Sequence, residues 1–91
     1  MSTYFHVGFN FQGKPPKDNE LEEIFNQAQD WLRYAPTNWI IYTNESLEIW
    51  TNRLRSQLSD TYTILLFEID LKRHRGWAPT MVVDWLKKQR G

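Results

Sequence analysis

The stretch WLRYAPTNWIIYT, residues 31–43, decides the fold of this chain because it has two structural interpretations. Its first half could extend a preceding helix through Leu32, or it could form a short strand. Residues 36–38 form a typical turn sequence, and residues 39–43 are rich in the β-branched and aromatic side chains that favour strands. We therefore predict a β-hairpin in which residues 31–35 form the first strand.

A strand and a helix precede this hairpin. Residues 4–11 alternate in character and place apolar side chains at every second position, which is typical of a half-buried strand. Residues 13–16, GKPP, then end the strand. We expect Asp18 or Asn19 to cap the helix that follows. That helix is predicted from apolar residues at helical spacing: Leu21, Ile24, Phe25 and Ala28.

A helix, a strand and a last short helix follow the hairpin. Ser46 is the predicted N-cap of a helix over residues 47–58. Residues 62–69 form the next strand, and the continuous apolar run over 64–67 indicates burial on both faces or at a subunit interface. The last helix begins near Pro79. Its apolar side chains are expected to point inward: Val82, Trp85 and Leu86.

The element order is therefore β-α-β-β-α-β with a C-terminal helix, in one domain over residues 1–91. Two such βαβ halves form a ferredoxin-like α+β sandwich with a four-stranded antiparallel sheet and both helices on one face. The other face of the sheet then needs a cover, which the aromatic C-terminal segment or a second copy of the chain could supply. We predict a homodimer that uses the exposed sheet surface and this segment.

Composition excludes several classes of function. The chain has no cysteine, which excludes disulfides, thiolate catalysis and cysteine-ligated metals. The first residues do not resemble a signal peptide, and no apolar run reaches the roughly 20 residues of a membrane span, so a cytoplasmic location is expected. The sequence contains none of the common phosphate-loop, zinc-protease or calcium-loop patterns. No metal and no cofactor is predicted.

The charges sum to zero but are segregated along the chain. Residues 18–30 carry five acidic side chains and no Lys or Arg, whereas residues 71–91 carry six basic side chains and one acidic one. Clustered cations beside an aromatic ring can contact a phosphate backbone and stack a base. The alternative is a solvated loop that protects an edge strand from unwanted pairing. The predicted nucleic-acid-binding residues are Lys72, Arg73, Arg75 and Trp77.

Residues 31–41, with one Trp in each strand of the hairpin, resemble a pattern in the small bacterial SinR-like proteins. The resemblance continues through other residues in the same order: Ser46, Arg53-Leu54, Asp60, Gly76-Trp77 and Trp85-Leu86-Lys87. It implies a fold similar to the small CRISPR adaptation subunit and to VapD-type toxins, which are nucleic-acid-associated dimers. In those relatives an Asp ending the first strand is the proposed metal-binding and nuclease residue. Asn10 stands there in this chain, and a neutral amide is a poor ligand for a hard divalent cation.

Three hypotheses for the function remain open at this point. The first is a non-enzymatic, homodimeric protein that binds RNA or DNA, in the toxin–antitoxin or phage-defence setting that the resemblance implies. The second is a protein-interaction module, or a phage-encoded inhibitor of a defence complex, that binds a protein partner through the acidic helix of residues 18–30. The third is a weak ribonuclease, for which His6 and Asn10 on one face of the first strand are the candidate catalytic residues.

Overall fold

The computed structural model describes residues 1–88 and Arg90, so Gln89 and Gly91, which the predicted domain includes, lie outside the described residues. The elements are β1 (Thr3–Asn10), α1 (Asp18–Phe25), β2 (Asp30–Ala35), β3 (Asn38–Thr43), α2 (Leu47–Gln57), β4 (Thr63–Ile69) and α3 (Thr80–Lys87). The predicted hairpin is confirmed, because β2 and β3 pair antiparallel across the turn.

The four strands form one sheet in the order β2-β3-β1-β4, and every neighbouring pair is antiparallel. Strand β3 lies between the two strands of the first βαβ unit, and β1 lies between the two strands of the second. The two units therefore interlock. This arrangement is the ferredoxin-like α+β fold that the sequence predicts.

The core lies between the sheet and the helices α1 and α2. Alternation along β1 directs Phe5, Val7 and Phe9 toward the helices, where all three are buried. The rings of Phe25 on α1 and Trp39 on β3 stack with their centroids 4.8 Å apart. Large aromatic side chains thus bury much of the apolar area of this small domain.

Helix α3 covers part of the opposite face of the sheet. It lies against β2, and its Val82 is 7% exposed. Leu32 and Ile40 of the hairpin are buried on this same face. Trp85 meets the ring of Tyr4 edge-on, with 6.2 Å between the ring centroids. The C-terminal segment therefore covers β2, β3 and the end of β1 that holds Tyr4.

The predicted cap of α1 is wrong. Lys17 occupies the N-cap position, and Asp18 is already the first helical residue. The Asp18 carboxylate instead accepts a hydrogen bond from Arg33 Nη1 at 2.7 Å, so a tertiary ion pair engages the side chain that could have capped the helix. The cap of α2 is confirmed, because Ser46 Oγ accepts a hydrogen bond from the Ile49 amide at 3.1 Å.

The interpretation of β4 as a strand buried on both faces is wrong. β4 is an edge strand, and its apolar residues differ in burial according to the face on which they lie. Ile64 and Leu66 face the helices and are half-buried against the core. Leu65 and Phe67 face the other side and are 57% and 56% exposed. The alternative interpretation, a subunit interface, stays a prediction.

Candidate nucleic-acid interface

The segment between β4 and α3, residues 70–79, turns the chain back over the open face of the sheet. Asp70 Oδ1 accepts a hydrogen bond from the Lys72 amide at 2.9 Å, which forms a turn directly after β4. His74 Nδ1 lies 2.6 Å from the Leu71 carbonyl oxygen, and because that oxygen can only accept, Nδ1 carries the proton. Gly76 has a φ of 146°, which residues with a side chain rarely adopt.

A cleft of about 750 Å³ lies between this loop, α3 and the sheet. Apolar side chains of the sheet and of α3 line one part of it: Ile40, Ile69, Val82, Val83 and Leu86. The remaining lining includes Tyr34 of β2, the acidic residue Asp70, and basic or aromatic residues of the loop and of α3: Arg73, His74, Arg75, Trp77 and Lys87. Because the basic side chains outnumber the single carboxylate, the cleft combines apolar surface with net positive charge, which suits a ligand that has a flat apolar part and an anionic part.

Three of the four predicted nucleic-acid-binding residues line this cleft: Arg73, Arg75 and Trp77. Lys72 lines a neighbouring groove together with Glu68, and Asp70 lines both this groove and the cleft. Trp77 is 97% exposed, whereas Trp39 and Trp50 are completely packed in the core. An indole exposed to this extent contributes almost nothing to packing and is available to a ligand.

Within the part of the chain that the structure describes, no ion pair involves Arg73, Arg75 or Lys87. The basic side chains that do form ion pairs are those of Arg33, Arg53, Lys88 and Arg90. Arg90 belongs to the basic C-terminal segment, but its side chain is only 5% exposed and lies 3.8 Å from the centre of the Trp85 ring. The positive charge that this segment offers to a ligand is therefore concentrated at the loop and the end of α3.

The acidic segment, residues 18–30, lies elsewhere and is partly neutralised within the chain. Asp18 pairs with Arg33, and Asp30 pairs with Arg90. The remaining acids are exposed on α1: Glu20, Glu22 and Glu23. Because α1 packs on the face of the sheet opposite to α3, the exposed acids and the basic cleft lie on opposite sides of the molecule.

Asp30 on β2 holds the C-terminal segment against the sheet. Its Oδ2 accepts a hydrogen bond from Arg90 Nε at 3.0 Å and lies 3.8 Å from Lys88 Nζ. Partial burial acts to raise the pKa of Asp30, but the hydrogen bond from Arg90 opposes it. The Trp85 indole N–H, the Trp31 amide and the charge of Arg90 act in the same direction as this hydrogen bond, and the net result is a lowered pKa.

We expect the Asp30–Arg90 pair to make a pH-dependent contribution to stability. Because the pKa of Asp30 is lowered in the folded state, this contribution is present above the unfolded value of 3.8 and is lost as the pH falls through the folded value. Asp30→Asn should therefore lower the urea midpoint of unfolding at neutral pH, and the difference from the wild type should shrink in strong acid. A difference that stays constant with pH would contradict this assignment.

The structure does not bring His6 and Asn10 together. Both lie on the same face of β1, as predicted, but four residues of strand separate them by about 13 Å. His6 Nε2 instead shares a hydrogen bond of 2.5 Å with the hydroxyl of Tyr34. Burial lowers the pKa of His6 and raises the pKa of Tyr34, so both side chains are neutral at neutral pH. Tyr34 in turn lines the cleft.

Tyr34 and His74 are cleft residues that the sequence analysis did not assign. The signal for Tyr34 is present in the alternation of β2, because Leu32 and Tyr34 must share the face opposite to Trp31 and Arg33. The position of His74 beside the cleft depends on the path of the loop, which has no such pattern. Within residues 1–88 and Arg90, no three His, Asp or Glu side chains are grouped so that they could hold a metal ion.

None of the helices in the described ranges has the length and apolar character needed to cross a membrane. The longest of these helices, α2, has 11 residues. No known protein family, curated protein or solved structure matches this chain, so its function has to be argued from the cleft and its surroundings.

Proposed function

We propose that this chain is a cytoplasmic, non-enzymatic protein that binds single-stranded nucleic acid in the cleft between residues 70–79 and α3. One observation carries the proposal: Arg73 and Arg75, which have no acidic partner among the described residues, line the same cleft as the exposed indole of Trp77. Cations that track the phosphate backbone and aromatic rings that stack on bases are the two components of single-strand recognition.

The composition of the cleft favours a single strand over a duplex. An unpaired base can present its flat face to Trp77 and to the apolar lining, whereas the bases of a duplex are already stacked on each other. Tyr34 adds a second ring and a hydroxyl group that can contact the edge of a base. Stable binding to a duplex relies on a longer series of phosphate contacts than the cations of this cleft offer.

Two further arguments come from analogy. The open face of a four-stranded βαββαβ sheet is also the surface on which RNA-recognition modules stack bases. The resemblance to SinR-like proteins, whose fold relatives are associated with nucleic acids, adds a toxin–antitoxin or phage-defence setting. These arguments rest on the fold and not on the site, so the binding experiment has to decide.

The double variant Arg73→Ala/Arg75→Ala should bind short labelled single-stranded RNA at least about tenfold more weakly than the wild type at low salt. Each phosphate contact releases counterions, so losing two contacts should also reduce the slope of log affinity against log salt by about 1.4. Fluorescence anisotropy across a salt series measures both quantities. Single-stranded and duplex DNA of the same length, used as competitors, would establish the preferred partner.

Two matched variants separate the cleft from general charge attraction. Lys14→Ala/Arg55→Ala removes the same charge from exposed positions outside the cleft and should leave the affinity almost unchanged. Trp77→Ala should weaken binding by about 1–3 kcal/mol without changing the salt slope, and Trp77→Phe should restore part of the loss. Equal losses in the two double variants would contradict the cleft assignment, and no binding at low salt would contradict the proposal itself.

The same RNA also tests the ribonuclease hypothesis. We expect it to remain intact after incubation with the protein, with and without magnesium. Cleavage that His6→Gln abolishes would instead establish an enzyme.

A further inference from the structure

The two edges of the sheet are built differently. The β2 edge carries the charged residues Asp30 and Arg33, has a register irregularity between Arg33 and Ala35, and is followed by Pro36. Charges, bulges and proline are the features that keep an edge strand from pairing with another chain. The β4 edge has one charged residue, Glu68 near its C-terminal end, has no proline, and pairs regularly with β1. The β2 edge is therefore the better protected of the two.

We propose that β4 pairs antiparallel with β4 of a second copy of this chain, so that the two sheets join into one. Within residues 1–88 and Arg90, no strand lies on the outer side of β4, so its outward N–H and C=O groups face no neighbouring strand. A second copy would supply the missing hydrogen-bond partners. The pairing is related by a two-fold axis and closes after two chains, which produces a dimer and not a filament.

The side chains of β4 select a register with the two-fold axis at Leu66. Leu66 is the midpoint of Thr63–Ile69, so this is the register in which all seven residues of the strand have a partner. It also sets Leu65 directly opposite Phe67 of the second copy, twice by symmetry. Both side chains are more than half exposed in the single chain and lie on the same face. Aromatic–aliphatic cross-strand pairs of this kind are favourable.

Charge complementarity identifies the occupant as a second copy. The acidic residue Asp60 precedes β4, and the basic loop that begins with Lys72 follows it. Antiparallel pairing brings the turn that holds Asp60 in one copy near residues 70–75 of the other, where Lys72, Arg73 and Arg75 outnumber Asp70, at both ends of the interface.

A pair of charge substitutions tests both the interface and the register. Leu65→Lys and Phe67→Glu each place a charge opposite an apolar side chain twice per homodimer, and each should raise the dissociation constant of the dimer at least about tenfold. In an equimolar mixture of the two variants, the introduced lysine faces the introduced glutamate, and the remaining Phe67 faces the remaining Leu65. The mixed dimer should therefore form again.

Ile49→Lys is the matched control, because it replaces an exposed apolar residue outside the proposed interface with a lysine. Ile49 lies on α2 and is 46% exposed. It should remain dimeric, and circular dichroism should show that all four proteins fold. Light scattering at tens of micromolar should give the wild type twice the 11.0 kDa mass of the chain.

Three results would overturn the inference. A monomeric wild type would exclude the dimer, and dimers that survive both single substitutions would place the interface elsewhere. A mixture that stays monomeric beside a dimeric wild type would exclude the register. No nucleic acid enters these measurements, so they are independent of the proposed function.

Discussion

Trp50→Ala should lower the free energy of unfolding by about 3–5 kcal/mol. The Trp50 side chain projects from α2 and is 0% exposed. Its ring lies nearly parallel to the ring of Phe25, with 6.2 Å between the two centroids. The guanidinium carbon of Arg53 lies 4.6 Å from the centre of the Trp50 ring. Truncation would leave a cavity between the helices and the sheet. The cavity would persist because the close-packed side chains and backbone around it can relax only partially.

Urea unfolding followed by circular dichroism measures this loss, and Trp77→Ala is the matched control. Trp77 is 97% exposed, so its truncation opens no cavity and should change the free energy of unfolding by less than about 0.5 kcal/mol. Similar losses in the two variants would show that Trp77 is packed in solution. The nucleic-acid proposal would then lose its stacking surface.

Thr43→Val should lower the free energy of unfolding by about 1–3 kcal/mol, although the two side chains have nearly the same shape. Thr43 ends β3 and is 1% exposed. Its Oγ1 accepts hydrogen bonds from Trp50 Nε1 at 3.0 Å and from the Glu45 amide at 3.1 Å. Valine cannot accept either bond, so the variant would bury an indole N–H without a partner.

A double-mutant cycle isolates this hydrogen bond from other effects of the substitution. Trp50→Phe removes the donor, so the penalty for Thr43→Val should be clearly smaller in the Trp50→Phe background, where only the Glu45 amide loses its partner. Additive losses would mean that the Thr43–Trp50 bond contributes nothing to stability. The cycle is measured by urea unfolding of the four proteins under one set of conditions.

The sequence alone determined the order of the elements and most of the core. Alternation along β1 and the turn sequence at residues 36–38 are local patterns, so the strands and the hairpin could be predicted without knowledge of their partners. The same holds for the Ser46 cap, because a cap is formed by residues within one helical turn. The cluster of Arg73, Arg75 and Trp77 was also visible, since these residues are close in the chain.

Only the tertiary structure decided which contacts these elements make. Asp18 is the first residue of α1 and not its cap, and its exposed carboxylate pairs with Arg33 of another element. Tyr34 became part of the cleft because α3 and the loop fold back over the hairpin. The apolar run of β4 fits a central or an edge strand equally well, and its position depends on which strands pair. Strand pairing is a long-range interaction that no local sequence pattern specifies. It places β4 at the edge of the sheet, where Leu65 and Phe67 are exposed.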